Sequence, residues 1–331
     1  MLSQDVKISN ILEEVKINNL DSYYFLDEKI IEYYLEYNYQ SKFIDRSFII
    51  RDKENILLCP ITIEQNKDSK YLNFFGNPFF CIYLKKDINL FVHFKEKIKE
   101  IFESEKIDNI NFIIEKSFNN SLDENNIVLN KNLFKKISNI KYINLNLSNE
   151  DIRRNFKKGL KYSLKQDYAN LSYLIIDKEN YNEEILEMKK MHKEIAQKST
   201  RTDESWLCNE RMILSGKGFL VKVNDENKVI SYSLFFNNGK ESCYFSSCTY
   251  RNLFKIYKNI THKSIFEAIK YLKKKNCNKL TLGETKIIHC NELISEKKKN
   301  ICTFKSSFGG EMFTHYYLDK SNLDFIDLYL K

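Results

Sequence analysis

The sequence is poor in glycine, with only eight in 331 residues, so each glycine is expected to stand where the backbone needs one. Glycine supplies positive φ angles or lets two backbones approach closely. The most informative stretch is Ile301–Glu311, reading ICTFKSSFGGE, where adjacent glycines follow two aromatic residues and a lysine. We predict that Gly309 and Gly310 form a tight turn that holds Phe304 and Lys305 at one end of a strand, beside a bound ligand.

Long apolar runs are missing as well. No stretch approaches the roughly twenty apolar residues that span a bilayer. The first residues, Met1–Asn10, lack the basic-then-apolar pattern of a secretory signal. These absences predict a cytoplasmic protein.

Recognisable metal and hydrolase motifs are also lacking. The eight cysteines form no C-x-x-C pair and have no histidine at zinc-site spacing, so we interpret them as small buried hydrophobes in a reducing compartment. His192, His289 and His315 have no partner at an informative spacing, and no metal site is expected. The SGKG stretch at 215–218 is typical of a turn rather than the nucleophile elbow of a serine hydrolase.

What the chain does contain is enough apolar material for two domains. Hydrophobic residues make up 43% and aromatic residues 14%, which predicts a globular protein, and 331 residues favour two domains over one. The net charge of +8, from 53 basic and 45 acidic residues, favours anionic partners such as phosphates, nucleotides, RNA or an acidic membrane surface. The alternative is that the lysines only solubilise the surface.

A first structural unit is indicated in the N-terminal half. Two β-rich runs at 48–58 are joined by a polar turn, and a strand is predicted at 71–75. Apolar residues at helical spacing, namely Leu90, Phe94, Ile98 and Ile101, predict a helix, followed by a strand at 110–114. A further helix at 28–37 precedes this series.

The C-terminal half repeats the same order. Helices are predicted at 184–197 and 205–214, a hairpin at 219–230, a strand at 242–246, a helix around 265–272 and a strand at 280–282. The spacing agrees, since Phe48 to Ile110 is 62 residues and Phe219 to Leu280 is 61. A helix that crosses to a parallel strand beside antiparallel strands produces a mixed sheet flanked by helices.

This order is that of the Gcn5-related acetyltransferase (GNAT) fold. The sequence therefore resembles an α+β protein of two tandem GNAT-like domains, residues 1–147 and 148–331, each a mixed, mostly antiparallel sheet with flanking helices. A chance alignment between two α+β halves is the alternative.

Between the halves lies the basic segment, Asn149–Lys165, which we predict to be one helix with Ser148 as N-cap. One face is apolar, and another carries Arg154, Lys158, Lys161 and a further lysine at its end. These cations could bind a phosphate in a cleft between domains, or they could form an ordinary solvated face.

Three segments together resemble the FemAB family of aminoacyl and acyl transferases. They are the RRNFKKGLKYSLK stretch at 153–165, the LTLGE stretch at 280–284, and Phe304–Lys305 followed by Phe308–Gly310. The FGNP stretch at 75–78 is similar to the glycine and proline loop of the family's first domain. The likeness is clear in the second half and loose in the first.

Membership of this kind implies a tandem GNAT fold and transfer of an amino acid from aminoacyl-tRNA, or of another acyl group, to an amine. The chain lacks the coiled-coil arm of some members. It also lacks the Gln/Arg-x-x-Gly-x-Gly/Ala loop with which ordinary acetyltransferases hold the pyrophosphate of coenzyme A, since residues 250–257 read YRNLFKIY at that place. No tightly bound cofactor is implied, and aminoacyl-tRNA or acyl-CoA serves as co-substrate.

The resemblance also implies site residues. Lys305 would face the charge that develops in the tetrahedral intermediate, and the Phe304 backbone would help to orient the donor. Glu284, predicted at a strand end after Gly283, would accept a proton or fix the acceptor amine. Each could instead be structural. Lys305 would then be an exposed strand-end lysine beside the buried Phe304, and Glu284 would be a carboxylate on a surface loop.

Donor and phosphate contacts complete the predicted site. Tyr250 and Arg251, with Gly283, would bind the donor, although the first two could equally be turn residues. Arg154, Lys158 and Lys161 would bind the phosphate of a nucleotide-linked, lipid-linked or tRNA-borne substrate.

Two functions follow from these expectations. The first is an acyltransferase acting on an amine of a cell-envelope or surface-glycan precursor, with possible peripheral membrane contact. The second is a non-catalytic tandem GNAT module that binds a nucleotide or RNA through its basic segment.

Overall fold

The computed structural model describes residues 2–18, 24–53, 55–67, 69–85, 87–117, 134–166, 168–290 and 292–318. Its helices are α1 (Ile8–Ile17), α2 (Glu28–Tyr37), α3 (Ile88–Ser104), α4 (Asn149–Arg154), α5 (Lys158–Ser163), α6 (Glu184–Ala196), α7 (Asp203–Leu214), α8 (Ile260–Lys274) and α9 (Glu296–Ser306). Its strands in the first half are β1 (Leu2–Asp5), β2 (Lys42–Asp45), β3 (Phe48–Asp52), β4 (Asn55–Cys59), β5 (Thr62–Gln65), β6 (Lys70–Asn73), β7 (Ile82–Tyr83), β8 (Asn109–Ile110), β9 (Ile113–Ser117) and β10 (Phe134–Asn144). The remaining strands are β11 (Leu171–Ile176), β12 (Gly218–Asp225), β13 (Lys228–Asn237), β14 (Glu241–Thr249), β15 (Lys279–Cys290) and β16 (Glu311–Leu318).

The first half is built on one long, bent hairpin. Its outgoing arm is β2 and β3 and its returning arm is β4 and β5, with Asp45 opposite Thr62 and Phe48 opposite Cys59. β6 pairs antiparallel with β5, α3 crosses over, and β8 returns parallel to β6. Such a crossover is required because parallel neighbours cannot be joined by a tight turn.

The second half repeats this construction. β12 and β13 form a hairpin, β14 pairs antiparallel with β13, α8 crosses over, and β15 returns parallel to β14. The duplicated order expected from the sequence is therefore confirmed, and the chain has an α+β fold of two tandem GNAT-like units.

The larger sheet takes strands from both halves. Its order is β11-β12-β13-β14-β15-β10-β16-β9, so β10 lies between β15 and β16. The boundary predicted at residues 147 and 148 falls on the turn from β10 into α4, and it stays a prediction.

Apolar stripes place the crossover helices on the sheets. The predicted α3 positions Leu90, Phe94, Ile98 and Ile101 are all buried in the core of the first half. In the second half, α8 covers one face of the larger sheet, while α6 and α7 cover the other face through Met188, Trp206 and Ile213, among other residues. The period of 3.6 residues thus identified which side of each helix is buried.

Helix α2 of the first half packs against β14 and α7 of the second half. The Tyr33 ring packs edge-on against Phe245 of β14, with 4.8 Å between the ring centroids. Glu32 forms an ion pair with Arg211 of α7 at 2.7 Å. This contact brings aromatic side chains of the first half beside β14.

The cysteines behave as the sequence suggests. All eight are free, and six of them are buried. Across the described ranges, no helix is both long enough and apolar enough to cross a membrane.

Candidate functional site

The central feature of the site is a fork between two parallel strands. β14 and β15 pair only at their beginnings, with Glu241 opposite Lys279 and Cys243 opposite Thr281. Beyond these residues β14 stays with β13 and β15 stays with β10, so the two strands diverge. The fork is the gap between β14 after Cys243 and β15 after Thr281.

Irregular pairing shapes both arms of the fork. On β14, the register with β13 shifts between Phe235 and Leu234, which leaves Phe245 as an extra residue. On β15, three shifts against β10 leave Leu282, Thr285 and Ile288 as extra residues. Bulges of this kind bend a strand and re-aim its side chains, so both arms present irregular surfaces toward the gap.

Lys305 lies at the closed end of the fork. It belongs to the last turn of α9, and its Nζ lies 2.9 Å from the position that a Cβ on Gly283 would occupy. Burial lowers the pKa of the Lys305 ammonium, and Lys298 acts in the same direction, whereas Cys243 and Cys302 act in the opposite one. In the part of the chain that the structure describes, the ammonium has no hydrogen-bond or ion-pair partner.

Gly283 makes room for this ammonium. Its φ of +78° lies in the left-handed region, which residues with a side chain rarely adopt. Any Cβ at this position would also meet the Lys305 Nζ. The backbone conformation therefore requires glycine here, and a Cβ would also displace the Lys305 ammonium, which ends a flexible side chain.

The expectation that Phe304 and Lys305 stand at a strand end is wrong. Both are helical, because Ser295 caps α9 through its hydroxyl, which accepts from the Lys298 amide at 3.3 Å, and the lysine-rich stretch favours a helix. The Gly309–Gly310 turn does exist, but it links α9 to the start of β16.

An aromatic wall stands beside Lys305. The Phe304 ring lies 4.6 Å from the His262 ring and 5.7 Å from the Phe308 ring, measured between centroids. Burial lowers the pKa of His262 to about 4, so this imidazole is neutral at pH 7. The Phe304 carbonyl already accepts from the amide and hydroxyl of Ser307, at 3.1 and 2.6 Å. Phe304 therefore contributes its ring rather than a free carbonyl.

Glu284 is held in a cluster of charges. It forms ion pairs with Lys136 and with Lys298, the latter at 3.5 Å, and accepts from the Ser138 hydroxyl at 3.1 Å. The prediction that Glu284 ends a strand is wrong, because β15 continues to Cys290 along its pairing with β10. Its carboxylate is thus positioned by cations on β10 and α9.

The predicted donor residues lie past the open end of β14. The Tyr250 hydroxyl donates to Glu194 of α6 at 2.9 Å, and this bond is the main cause of the raised pKa of Tyr250. Arg251 is exposed and begins the short 3-10 helix Arg251–Lys255. The structure does not bring either side chain to Lys305.

The basic segment is not one continuous helix, and that prediction is wrong. It breaks between α4 and α5, because the Lys157 amide donates to the Ser307 carbonyl at 2.8 Å instead of continuing the helical ladder. The Phe156 ring packs edge-on against Phe308, with 5.6 Å between centroids. Tertiary contacts with the end of α9 thus replace one turn of helix, although Ser148 does cap α4 as expected.

The three predicted phosphate ligands lie on the outer side of this segment. Arg154 is largely exposed and pairs with Asp151 at 2.9 Å, and Lys161 donates to the Arg154 carbonyl at 2.6 Å. Lys158 is exposed. A cavity of about 340 Å³ opens nearby, bounded by Asn155 and by the Gly309–Gly310 turn, among other residues.

His289 and His315, two of the histidines noted in the sequence, lie on the strands that flank β10. His315 is buried and lies 3.3 Å from the Tyr142 hydroxyl, whereas the side chain of His289 lies outside the described residues. Among the residues with described side chains, no group of three or more His, Cys, Asp or Glu is arranged to hold a metal ion. His262 and Arg201 carry no motif, so only their spatial neighbours reveal them.

Comparison with known proteins identifies the fold but no sequence family. No protein-family model matches the chain, and no curated protein matches it in sequence. Among solved structures, FemX is similar over 100% of both chains, at 12% identity and a TM-score of 0.63.

Two further structures share this fold. A conserved protein of unknown function from Bacteroides thetaiotaomicron VPI-5482 is 8% identical, with a TM-score of 0.53 over 96% of this chain and 99% of that one. L-PGS from Bacillus licheniformis is 10% identical, with a TM-score of 0.50 over 97% and 95%. The chain thus has the FemAB-like tandem GNAT fold that its sequence segments resemble.

Proposed function

We propose that this protein is an acyltransferase that moves an aminoacyl or acyl group to an amine of a cell-envelope or surface-glycan precursor. The observation that carries the proposal is the largely desolvated Lys305 ammonium, without a counter-charge among the described residues, at the closed end of the fork. Burying an unpaired cation is costly, so its retention favours a role in chemistry.

The proposed reaction passes through a tetrahedral intermediate. The acceptor amine attacks the donor carbonyl carbon, and the oxygen of that carbonyl gains a negative charge. The Lys305 ammonium donates a hydrogen bond to this oxyanion and so stabilises the developing charge. The intermediate then collapses, the bond to the leaving group breaks, and the proton lost by the amine passes to the leaving group or to solvent.

Other residues act through Lys305 in this proposal. Gly283 leaves the space that the ammonium fills, and the Phe304 ring, packed on His262 and Phe308, fixes the last turn of α9. Glu284 orients Lys298 and Lys136 rather than serving as a free base, because its carboxylate is already paired.

We favour aminoacyl-tRNA over acyl-CoA as the donor. In place of a glycine-rich pyrophosphate loop the chain has a 3-10 helix after Tyr250. Three amides in and after this helix are used internally, because Leu253 donates to the Tyr250 carbonyl and both Ile256 and Tyr257 donate to the Leu253 carbonyl. Amides engaged in this way are not free to bind a pyrophosphate. The FemAB resemblance supports the same donor.

Thermal unfolding with each donor tests this choice. A tRNA charged with the correct amino acid, drawn from a panel of individually aminoacylated tRNAs, should raise the melting temperature more than the same tRNA deacylated. At a concentration of 100 Kd the unfolding free energy should rise by about 2.7 kcal/mol. Acetyl-CoA should have no effect.

Other results of this experiment would change the proposal. Stabilisation by acetyl-CoA alone would make acyl-CoA the donor. Equal binding of charged and uncharged tRNA, with no transfer to any amine, would leave a nucleic-acid-binding module. Absence of any response would remove the support for both donors.

The basic segment is proposed to bind the phosphates of the tRNA or of a nucleotide-linked or lipid-linked acceptor. Replacing Lys158 and Lys161 with glutamate should weaken tRNA binding. The slope of log K against log salt should fall by about 0.7 to 0.9 for each phosphate that these lysines neutralise in the wild type. Measuring tRNA affinity at several salt concentrations checks this prediction.

Lys53→Glu is the control, because Lys53 is an exposed lysine in the first-half hairpin. It changes the net charge without changing the basic segment. The control changes the net charge by two and the double variant by four, so a decrease of slope half as large in the control would mean that only the overall charge of +8 matters.

A further inference from the structure

Arg201 occupies an unusual position in the turn between α6 and α7. Its Nη2 donates to the Ser246 hydroxyl at 2.8 Å, on the β14 arm of the fork and next to the bulged Phe245. The side chain therefore reaches from a loop of the second half to the surface of the fork, on the side that α2 covers.

Aromatic rings surround this guanidinium. Its Cζ lies 5.0 Å from the centre of the Trp206 ring and 6.0 Å from that of Tyr33. Burial is the main cause that raises the pKa of Tyr33 to about 12, and the Arg201 charge opposes it. We call this set of four residues, Arg201, Ser246, Trp206 and Tyr33, the arginine pocket.

The guanidinium lacks a counter-charge in this pocket. Nη1 is buried and has no hydrogen-bond partner among the described residues. By contrast, several other arginines pair with a carboxylate, at distances of 2.5 to 2.9 Å: Arg46 with Glu105, Arg51 with Glu14, Arg154 with Asp151, and Arg211 with Glu32. Burying a cation with an unused N–H donor costs free energy in the unliganded protein. A bound anion offsets that cost.

Two basic residues lie near the pocket, of which Lys297 adds positive charge, whereas His192 is held in its neutral form. The His192 ring lies 5.7 Å from the Trp206 ring, and its Nδ1 is 3.3 Å from the Thr200 hydroxyl. Burial lowers the pKa of His192, and Arg201 and Lys297 lower it further. Lys297 belongs to the first turn of α9, so basic groups from α6, α9 and the α6–α7 turn converge here.

We infer that the arginine pocket binds a carboxylate of the acceptor substrate. The Tyr33 and Trp206 rings take up space beside the guanidinium and leave its N–H groups as the polar contacts for a ligand. A planar carboxylate matches these planar N–H donors. Because Ser246 lies on the fork, an acceptor held in this way would extend its amine along the fork toward Lys305. The identification of the ligand as the acceptor rests on the proposed function, whereas the binding of a carboxylate at this site does not.

A matched pair of small probes tests the site without any donor or turnover. N-acetylglycine and N-acetylglycinamide differ only in carboxylate against carboxamide, and their affinities can be measured by NMR titration. The wild-type protein should bind the carboxylate at least tenfold more tightly than the amide. Arg201→Gln should abolish this preference, and Arg201→Lys should reduce it.

Arg51→Gln is the matched control, since Arg51 pairs with Glu14 in the first half and should leave the preference unchanged. Urea unfolding of Arg201→Gln shows whether the variant is folded, and a folded variant is expected because an unpaired cation is removed. Equal affinity for the two probes, or a preserved preference in folded Arg201→Gln, would overturn the site.

Inorganic phosphate serves as a third probe. Tighter binding of phosphate than of N-acetylglycine would overturn the assignment to a carboxylate. Because these measurements need no acyl transfer, an inactive enzyme with an intact carboxylate preference would reject only the proposed function.

Discussion

Lys305→Met should lower the rate of acyl transfer about 100- to 1,000-fold, which is the usual effect of removing one oxyanion-stabilising donor. The variant should fold at least as well as the wild type. Methionine fills much of the same space, and it removes an ammonium that burial penalises. We expect its unfolding free energy to be higher by about 1 kcal/mol.

The pH dependence of the wild type should carry the same signature. Catalysis needs the protonated ammonium, and the lowered pKa of Lys305 places the loss of activity on the alkaline side, below the ordinary lysine value of 10.5. Between the lowered pKa of the folded protein and the ordinary value of 10.5, the Lys305 amine is protonated in the unfolded chain but not in the folded protein. The unfolding free energy of the wild type should therefore rise with pH there, and that of Lys305→Met should lack this contribution.

Lys299→Met is the control for this prediction. Lys299 lies on the same helix and pairs with Glu296 at the surface, at 2.6 Å. Steady-state turnover with the donor identified by thermal unfolding should be unchanged in this variant. Equal turnover of Lys305→Met and the wild type would reject the catalytic role.

Gly310→Ala should cost about 3 kcal/mol of unfolding free energy or more, and should unfold a marginally stable protein. The φ of Gly310 is +85°, and a Cβ there would lie 2.3 Å from the Tyr142 carbonyl oxygen on β10. Backbone atoms on both sides would have to move. Because β10 also pairs with β15, the shift should disturb the arm of the fork that carries Gly283.

Substitutions of two other glycines separate the cost of a positive φ from the cost of the steric clash. Gly239→Ala has a φ of +95° but open space around the new Cβ, so it should cost about 1 kcal/mol. Gly159→Ala, in α5 and also in open space, should stabilise the protein by about 0.5 to 1 kcal/mol. Urea unfolding measures all three, and equal values for Gly310→Ala and Gly239→Ala would contradict the predicted clash.

Local patterns were enough to predict much of the fold. The apolar positions of α3 and α8 lie in the cores as expected, and the hairpin and crossover order of each half is confirmed. These features depend on periodicity along a few consecutive turns or residues, which burial on one face imposes directly.

The failures have a common cause in contacts distant in sequence. The basic segment has an apolar stripe suitable for one helix. The helix is nevertheless interrupted, because the Lys157 amide donates to the Ser307 carbonyl, about 150 residues away in sequence. The glycine turn predicts Phe304 and Lys305 at one end of a strand, whereas in the structure Ser295 caps a helix that includes both residues. Glu284 was expected at a strand end because no local pattern shows that β10 extends the pairing of β15.

The sequence by itself determined the duplicated α+β order, the turn at Gly309 and Gly310, and the basic charge of the linking segment, because residue type and spacing are enough to predict each of them. Tertiary structure alone decided that Lys305 lies beside Gly283 at a fork, that Glu284 is paired, and that Arg201 has no carboxylate partner among the described residues. Whether a charge has a partner depends on groups brought together by folding, and a buried unpaired cation differs from a solvated one only in that environment.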